Sequence, residues 1–210
     1  ALLPPSRILA KAREEGTTLT TLCAICFNVI KRTNRLIQND GEKREKINNF
    51  IEMNYQGDLR VLHSLEILKQ EIGFSQIKER VKKPMAGLNA AAYYGCMPLR
   101  PFDEMGFDDK ERPTLFEEFL EAMGAEPVDF PYKIECCGSF QSVGSPEVAT
   151  ECGYKILGSA IKNGAEVVVS TCPMCTFNID HKQSDIKEKY LGFKPIPVLY
   201  FTQLLGMAMG

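Results

Sequence analysis

The sequence predicts an α/β fold of stacked βα units with mostly parallel short sheets, arranged as two pseudo-repeated lobes of which the first is incomplete. Three observations predict it. Short apolar runs alternate with longer stretches whose apolar residues recur at three- and four-residue steps. One block recurs: Ile8-Leu9, Gly16 and Cys23-x-x-Cys26 return as Ile156-Leu157, Gly164 and Cys172-x-x-Cys175 with a one-residue slip, each copy reading helix, glycine stop, strand, CxxC, helix. Pro84, after Lys82-Lys83, separates a mostly helical first part from the strand leading into Cys96, which puts a lobe boundary there and divides the chain into 1–83 and 84–210.

Taken in order, the apolar spacing predicts helices over Pro4–Glu15, Cys26–Asn39, Lys43–Tyr55 and Val61–Ile72 in the first lobe. In the second it predicts helices over Thr114–Met123, Pro146–Asn163, Cys175–Tyr190 and Phe201–Met209. The β-branched and small apolar runs Leu88–Tyr94, Glu166–Ser170 and Ile196–Tyr200 read as strands, and Phe130–Ile134 reads as a further strand-like run before Cys136. Projecting the repeat backward puts counterparts of Cys136 and Cys96 about 13 and about 53 residues before Ala1, so the sequence reads as lacking the start of its first lobe.

A chain of 210 residues, 44% hydrophobic, can bury a core without disulfides or structural metal. A formal charge of −2 with both signs interspersed gives no basic face for nucleic acid, which is set aside as a partner. No leading apolar segment and no run of about 18 apolar residues is present, so neither secretion nor a direct membrane span is expected, and the cytoplasm is the expected compartment. Eight cysteines without a secretory signal argue for reduced thiols serving as metal ligands or redox groups.

Their spacing narrows the chemistry. Cys96 follows Ala90-Ala91-Ala92-Tyr93-Tyr94-Gly95, the vicinal pair Cys136-Cys137-Gly138 follows Phe130–Ile134, and Cys172-Pro173-Met174-Cys175 follows Val167-Val168-Val169-Ser170. Groups leaving strand ends in an open parallel sheet share the edge where ligands bind. Cys172 and Cys23 also open helices, whose free N–H groups favour thiolate over thiol. Thiolates select zinc, iron–sulfur clusters or copper(I), and with two histidines in the chain an imidazole-dominated site is not expected. Five clustered cysteines exceed what one tetrahedral zinc or a four-cysteine cube requires. A lone CxxC would more often be a zinc knuckle or a thioredoxin-like dithiol, and the added CCG and single cysteine weigh against both.

The set Cys96, Cys136-Cys137-Gly138 and Cys172-x-x-Cys175 resembles the cysteine-rich CCG domain of the heterodisulfide reductase B subunit and its relatives. The segments Tyr94-Gly95-Cys96-x-Pro98-Leu99-Arg100-Pro101, Phe107-Asp108-Asp109, Gly124-Ala125-Glu126 and Pro197 through Gly206 are similar to that family as well. The resemblance implies two CCG lobes, each holding a non-cubane 4Fe-4S cluster, with a disulfide substrate such as CoM-S-S-CoB cleaved between them. It makes Cys96, Cys136, Cys137, Cys172 and Cys175 cluster ligands and catalytic residues, and Cys23 and Cys26 the remaining ligands of the first site. It also implies partner subunits like those of the heterodisulfide reductase A and C kinds as electron donors, and weak or absent turnover by this chain alone. Expression in air could leave the site with zinc, with a disulfide such as Cys172 to Cys175, or empty. Ser139 stands where the family often has a second glycine.

Two other readings stand beside this one: the CCG subunit of a quinone-linked fumarate, succinate, lactate or glycolate oxidoreductase, and a non-catalytic zinc-binding assembly protein. His63 resembles a family histidine and could donate a proton to a departing thiolate, or could lie on a helix surface. His181 reads as a solvated residue, and Cys152 as a small apolar filler within a helix. Lys133 and Arg100 could hold an anionic thiol substrate, or be ordinary surface cations.

Overall fold

Six short strands, all paired in parallel, form two sheets in the computed structural model, which describes residues 2–210. The first segment, before Pro84, runs α1 (Leu3–Glu15), β1 (Thr18–Thr21), α2 (Ala24–Asn39), α3 (Gly41–Ile51), β2 (Arg60–His63), α4 (Ser64–Ile67), a π turn over Leu68–Ile72, and α5 (Phe74–Glu79). The second runs β3 (Asn89–Tyr93), α6 (Phe102–Met105), α7 (Leu115–Ala122), β4 (Glu126–Val128), a 3-10 turn over Ser139–Gln141, α8 (Pro146–Lys162), β5 (Val167–Ser170), α9 (Pro173–His181), α10 (Gln183–Lys189), β6 (Val198–Tyr200) and α11 (Phe201–Met209). The α/β class with short parallel sheets is therefore as the sequence predicts.

Parallel neighbours need a crossover, and each pair here is joined through helices. β1 pairs with β2 in one sheet, and β4-β3-β5-β6 is the order of the other. Register makes the internal repeat concrete. Thr21 lies opposite His63, and Ser170 lies opposite Tyr200. The β1–β2 unit thus repeats as β5–β6, and the strings Val61-Leu62-His63 and Val198-Leu199-Tyr200 occupy equivalent strands.

The four-stranded sheet divides the core. Along β3 and β5, Ala90, Ala92, Val167 and Val169 face one apolar cluster, and Ala91, Tyr93 and Val168 face the other. This is the two-residue alternation of a strand buried on both faces. The first cluster joins Leu9, Phe27 and Leu65 to Phe119 and Phe201 across residue 84. Truncating a ring such as Phe119 to alanine would cost about 3–5 kcal/mol. The second cluster contains Cys137, Cys172 and Cys175 alongside Ile156, Leu157 and Ile179.

Four segments depart from expectation. Val61–Ile72 is not one helix: Arg60–His63 is a strand, then α4 and the π turn follow. Its apolar spacing fits a helix, but a parallel partner 42 positions earlier captures the backbone, as the pairing of Leu19 with Val61 records. Cys175–Tyr190 is two helices, broken at Lys182, because the Gln183 amide bonds both the N–H and the C=O of Ile196 at 3.0 and 2.9 Å and turns α10 toward β6. Phe130–Ile134 is not strand-like. The strand ends at Val128, Pro131 has no N–H to give a ladder, and residues 131–134 form turns. Lys43–Tyr55 ends early, at Ile51.

Candidate functional site

Cys96 is placed by the end of β3. The N–H groups of Tyr94 and Gly95 both donate to the Lys133 carbonyl at 2.9 and 3.2 Å, which ties this loop to the segment before the vicinal cysteines. On its other side the Asn28 amide of α2 donates to the carbonyls of Met97 and Arg100 at 2.8 and 2.6 Å. Cys136 and Cys137 are fixed in turn, since the Tyr93 hydroxyl donates to Glu135 C=O at 2.7 Å and the Asn178 amide to Cys137 C=O at 2.8 Å. Cys172 precedes α9, and Pro173 starts that helix where a missing N–H costs nothing.

The five sulfurs follow one another in a row. Cys96 meets Cys136, Cys136 meets Cys137, Cys137 Sγ lies 3.3 Å from Cys175 Sγ, and Cys175 meets Cys172. Hydrogen bonds from Cys137 and then Cys96, helped by the Arg100 charge, hold Cys136 far below the usual thiol range. Contact with Cys136 pushes Cys96 up, and contact with Cys137 and Cys172 pushes Cys175 up. Cys172 is drawn down to about 7 by Cys175. Both shifts favour the thiolate form at Cys136 and Cys172 over that of an ordinary thiol.

Two glycines let the backbone come this close. Gly95 has φ +66°, and a Cβ there would meet Cys175 Sγ at 3.3 Å. Gly138 has φ +76°, and a Cβ there would meet Ala149 Cα and Cys152 Sγ at 3.2 Å. Among the described residues all eight cysteines are free, and no three Cys, His, Asp or Glu side chains are arranged to hold a single metal ion. Five mostly buried soft donors strung in sequence fit a multi-iron cluster, whose metals are spread over several ångströms, more readily than one tetrahedral ion.

The first CxxC lies beside this row without joining it. Cys23 caps α2 and accepts from Cys26 N–H at 3.5 Å, and burial pushes its thiol up. The loops are linked where Ala24 N–H donates to Thr171 C=O at 3.3 Å and where the Tyr200 hydroxyl meets Leu22 C=O.

A cysteine-rich domain model of the CCG type matches residues 90–180, the stretch holding all five row cysteines. The chain is 32% identical over its whole length to the 8-methylmenaquinol:fumarate reductase membrane anchor subunit of Wolinella succinogenes, covering 73% of that protein. It is also 32% identical, over 98% of its length, to the B subunit of the ferredoxin/F(420)H(2)-dependent CoB-CoM heterodisulfide reductase of Methanosarcina acetivorans, covering 70% of it. The chain belongs to the family of the heterodisulfide reductase B subunit. A hypothetical protein from Helicobacter pylori shares the fold, with a TM-score of 0.72 at 14% identity; the match takes in all of this chain and 38% of that one. The heterodisulfide reductase B family is one of oxidoreductase subunits.

Within this heterodisulfide-reductase-like frame the remaining candidates sort themselves by geometry. His63 is not on a helix surface: it ends β2, caps α4 and is fully buried. Its Nδ1 accepts from Leu65 N–H at 3.3 Å, its Nε2 has no partner, and burial depresses its pKa to about 4. Lys133 is paired with Glu117 at 2.7 Å and Asp129 at 3.1 Å, so it is a structural cation rather than a free one. Arg100 is exposed and acts on Cys136 through charge. His181 is exposed and stacks on Phe177. Cys152 is half-buried against the Gly138 turn.

Sequence reasoning missed Asn28, Asn178 and Tyr200. Each asparagine sits on the buried face of the helix after a CxxC, and a polar residue on such a face must find a partner. For Tyr200 the signal is the repeat of Val-Leu-His-x-x-Glu as Val-Leu-Tyr-x-x-Gln at residues 61–66 and 198–203. No helix among the described residues is long and apolar enough to cross a membrane.

Proposed function

We propose that this chain is the catalytic iron–sulfur subunit of a cytoplasmic heterodisulfide-reductase-like complex, reducing a thiol disulfide with electrons from partner subunits of the A and C kinds. The observation that carries the reading is the unbroken row Cys96, Cys136, Cys137, Cys175, Cys172, with a second CxxC bonded to it through backbone. A non-cubane 4Fe-4S cluster held there would supply electrons singly, where cleaving a disulfide into two thiolates takes two.

The chain's own residues then have separate tasks. Cys136 and Cys172, already biased to thiolate, would be the first sulfurs to take metal, and Gly95 and Gly138 keep Cβ atoms out of the approach. Arg100, exposed beside Cys136, would attract the anionic end of a substrate. His63 is neutral near pH 7, so it would offer its Nε2–H as a hydrogen bond rather than serve as the proton reservoir expected from sequence. Cys23 and Cys26 are two thiols, fewer than a cluster needs, so this pair would not hold a second cluster by itself.

Anaerobic reconstitution tests this reading. Roughly four irons and four sulfides per chain, lost in Cys136→Ser and Cys137→Ser, are expected; about one zinc and no stable iron would overturn it in favour of an assembly protein. A quinone-linked reading is favoured by the full-length likeness to the fumarate reductase membrane anchor subunit. Electron transfer from reduced menaquinol to the reconstituted chain, with none to a heterodisulfide, would select it.

A further inference from the structure

The two CxxC loops are joined unequally. Ala24, the residue after Cys23, sends its N–H across to Thr171 C=O at 3.3 Å. The repeat that relates β1–α2 to β5–α9 calls for a return bond, from the N–H of residue 173 to Leu22 C=O. Residue 173 is proline, which has no N–H to give. Leu22 C=O instead accepts from the Tyr200 hydroxyl, whose oxygen also lies 3.2 Å from Thr171 C=O.

Tyr200 is itself held firmly. It ends β6 opposite Ser170, its N–H donates to Gln203 Oε1 at 2.7 Å, and its ring packs edge-on against Phe201 with centroids 4.9 Å apart. The equivalent residue of the first lobe, His63, also lies against the carbonyls of Leu22 and Thr171, but its Nε2 makes no hydrogen bond to either. A single hydroxyl therefore replaces a backbone donor that the sequence has removed.

We propose that Tyr200 is a positioning residue that clasps the two CxxC loops together, supplying the hydrogen bond that Pro173 cannot, and so sets the spacing between Cys23-Cys26 and the five-cysteine row. The proposed function gives that spacing its use, since a disulfide bound between the two thiol groups must reach both. The clasp is tested on reduced, metal-free protein, so the iron–sulfur reading can fail while the clasp stands, and the reverse.

The experiment measures iodoacetamide alkylation rates of Cys23, Cys172 and Cys152 by mass spectrometry in the full chain. Y200F keeps the ring and removes one oxygen. It is expected to speed Cys23 and Cys172 about tenfold, the factor one hydrogen bond of ordinary strength sets, and to leave Cys152 unchanged. P173A restores an N–H at the required place, so Y200F/P173A should return both rates to within about twofold of the parent protein. Unchanged rates in Y200F, no rescue by P173A, or Cys152 rising in step would each overturn the clasp. Hydrogen exchange on the unmodified chain gives an independent check. The Ala24 amide opens a helix and is ordinarily unprotected there; the clasp predicts protection, and exchange as fast as an exposed loop amide overturns it.

Discussion

The two copies of the CxxC loop share a fold and differ in company. Cys172 and Cys175 are buried, and three further thiols continue from them; Cys23 is half-exposed and Cys26 exposed. The strand behind the second loop is buried along its whole length, and the strand behind the first alternates between exposed and half-buried. A strand–CxxC–helix unit therefore supplies a thiol pair and a helix terminus, but the β3 and β4 segments bring the other sulfurs. Substitutions that separate the loop from its company sharpen this difference.

The largest effect is expected at glycines. Gly138→Ala forces a side chain into left-handed backbone and against Ala149 Cα at 3.2 Å, so it should cost roughly 3 kcal/mol in urea unfolding and remove iron uptake. Gly164→Ala, at φ +93° with nothing within 4 Å, isolates the backbone share and should cost about 1 kcal/mol. Its first-lobe counterpart Gly16 has extended backbone and open space, so Gly16→Ala should be close to neutral. Equal costs at Gly138 and Gly164 would mean that close packing at the vicinal cysteines contributes nothing.

A smaller effect separates His63 from Tyr200. Burial lowers the His63 pKa from 6.5 to about 4, so the unfolded chain takes up this proton first. The contribution to stability is complete above pH 6.5 and is lost as pH falls toward 4. At most about 3 kcal/mol is involved. His63→Gln, neutral throughout, should flatten that part of the stability curve. A variant curve parallel to the parent's between pH 7 and 4 would show that His63 is protonated inside the fold.

Much of this is legible in the order of the amino acids alone, and the exceptions share a cause. The three runs over β3, β5 and β6 announce themselves through small and β-branched residues, and α11 has the bounds its apolar spacing predicts. Motif spacing is enough to group the row cysteines. What stays hidden depends on partners distant in sequence. Residues 60–63 become a strand only because β1 offers them a ladder, and Tyr200 matters only because Leu22 lies against it. His63 reads as a helical residue for the same reason, and its burial cannot be read from the alternation around it. The Phe130–Ile134 run fails on local chemistry that is visible, since Pro131 interrupts it.

The smallest expected effect bears most directly on the two-loop comparison. If the five-cysteine row is a complete site, replacing both Cys23 and Cys26 by serine should leave its iron and sulfide content unchanged. The Cys23 sulfur accepts the Cys26 N–H, and serine oxygen is an equal or better N-cap, so stability should move by less than about 0.5 kcal/mol. Alkylation of Cys172 should also stay as it was, because Ala24 N–H and the Tyr200 hydroxyl, not the first-loop sulfurs, hold the loops together. Loss of half the iron in the double variant would contradict this: it would mean that first-loop thiols complete the second site, and the two CxxC motifs would then be one ligand set divided between two lobes.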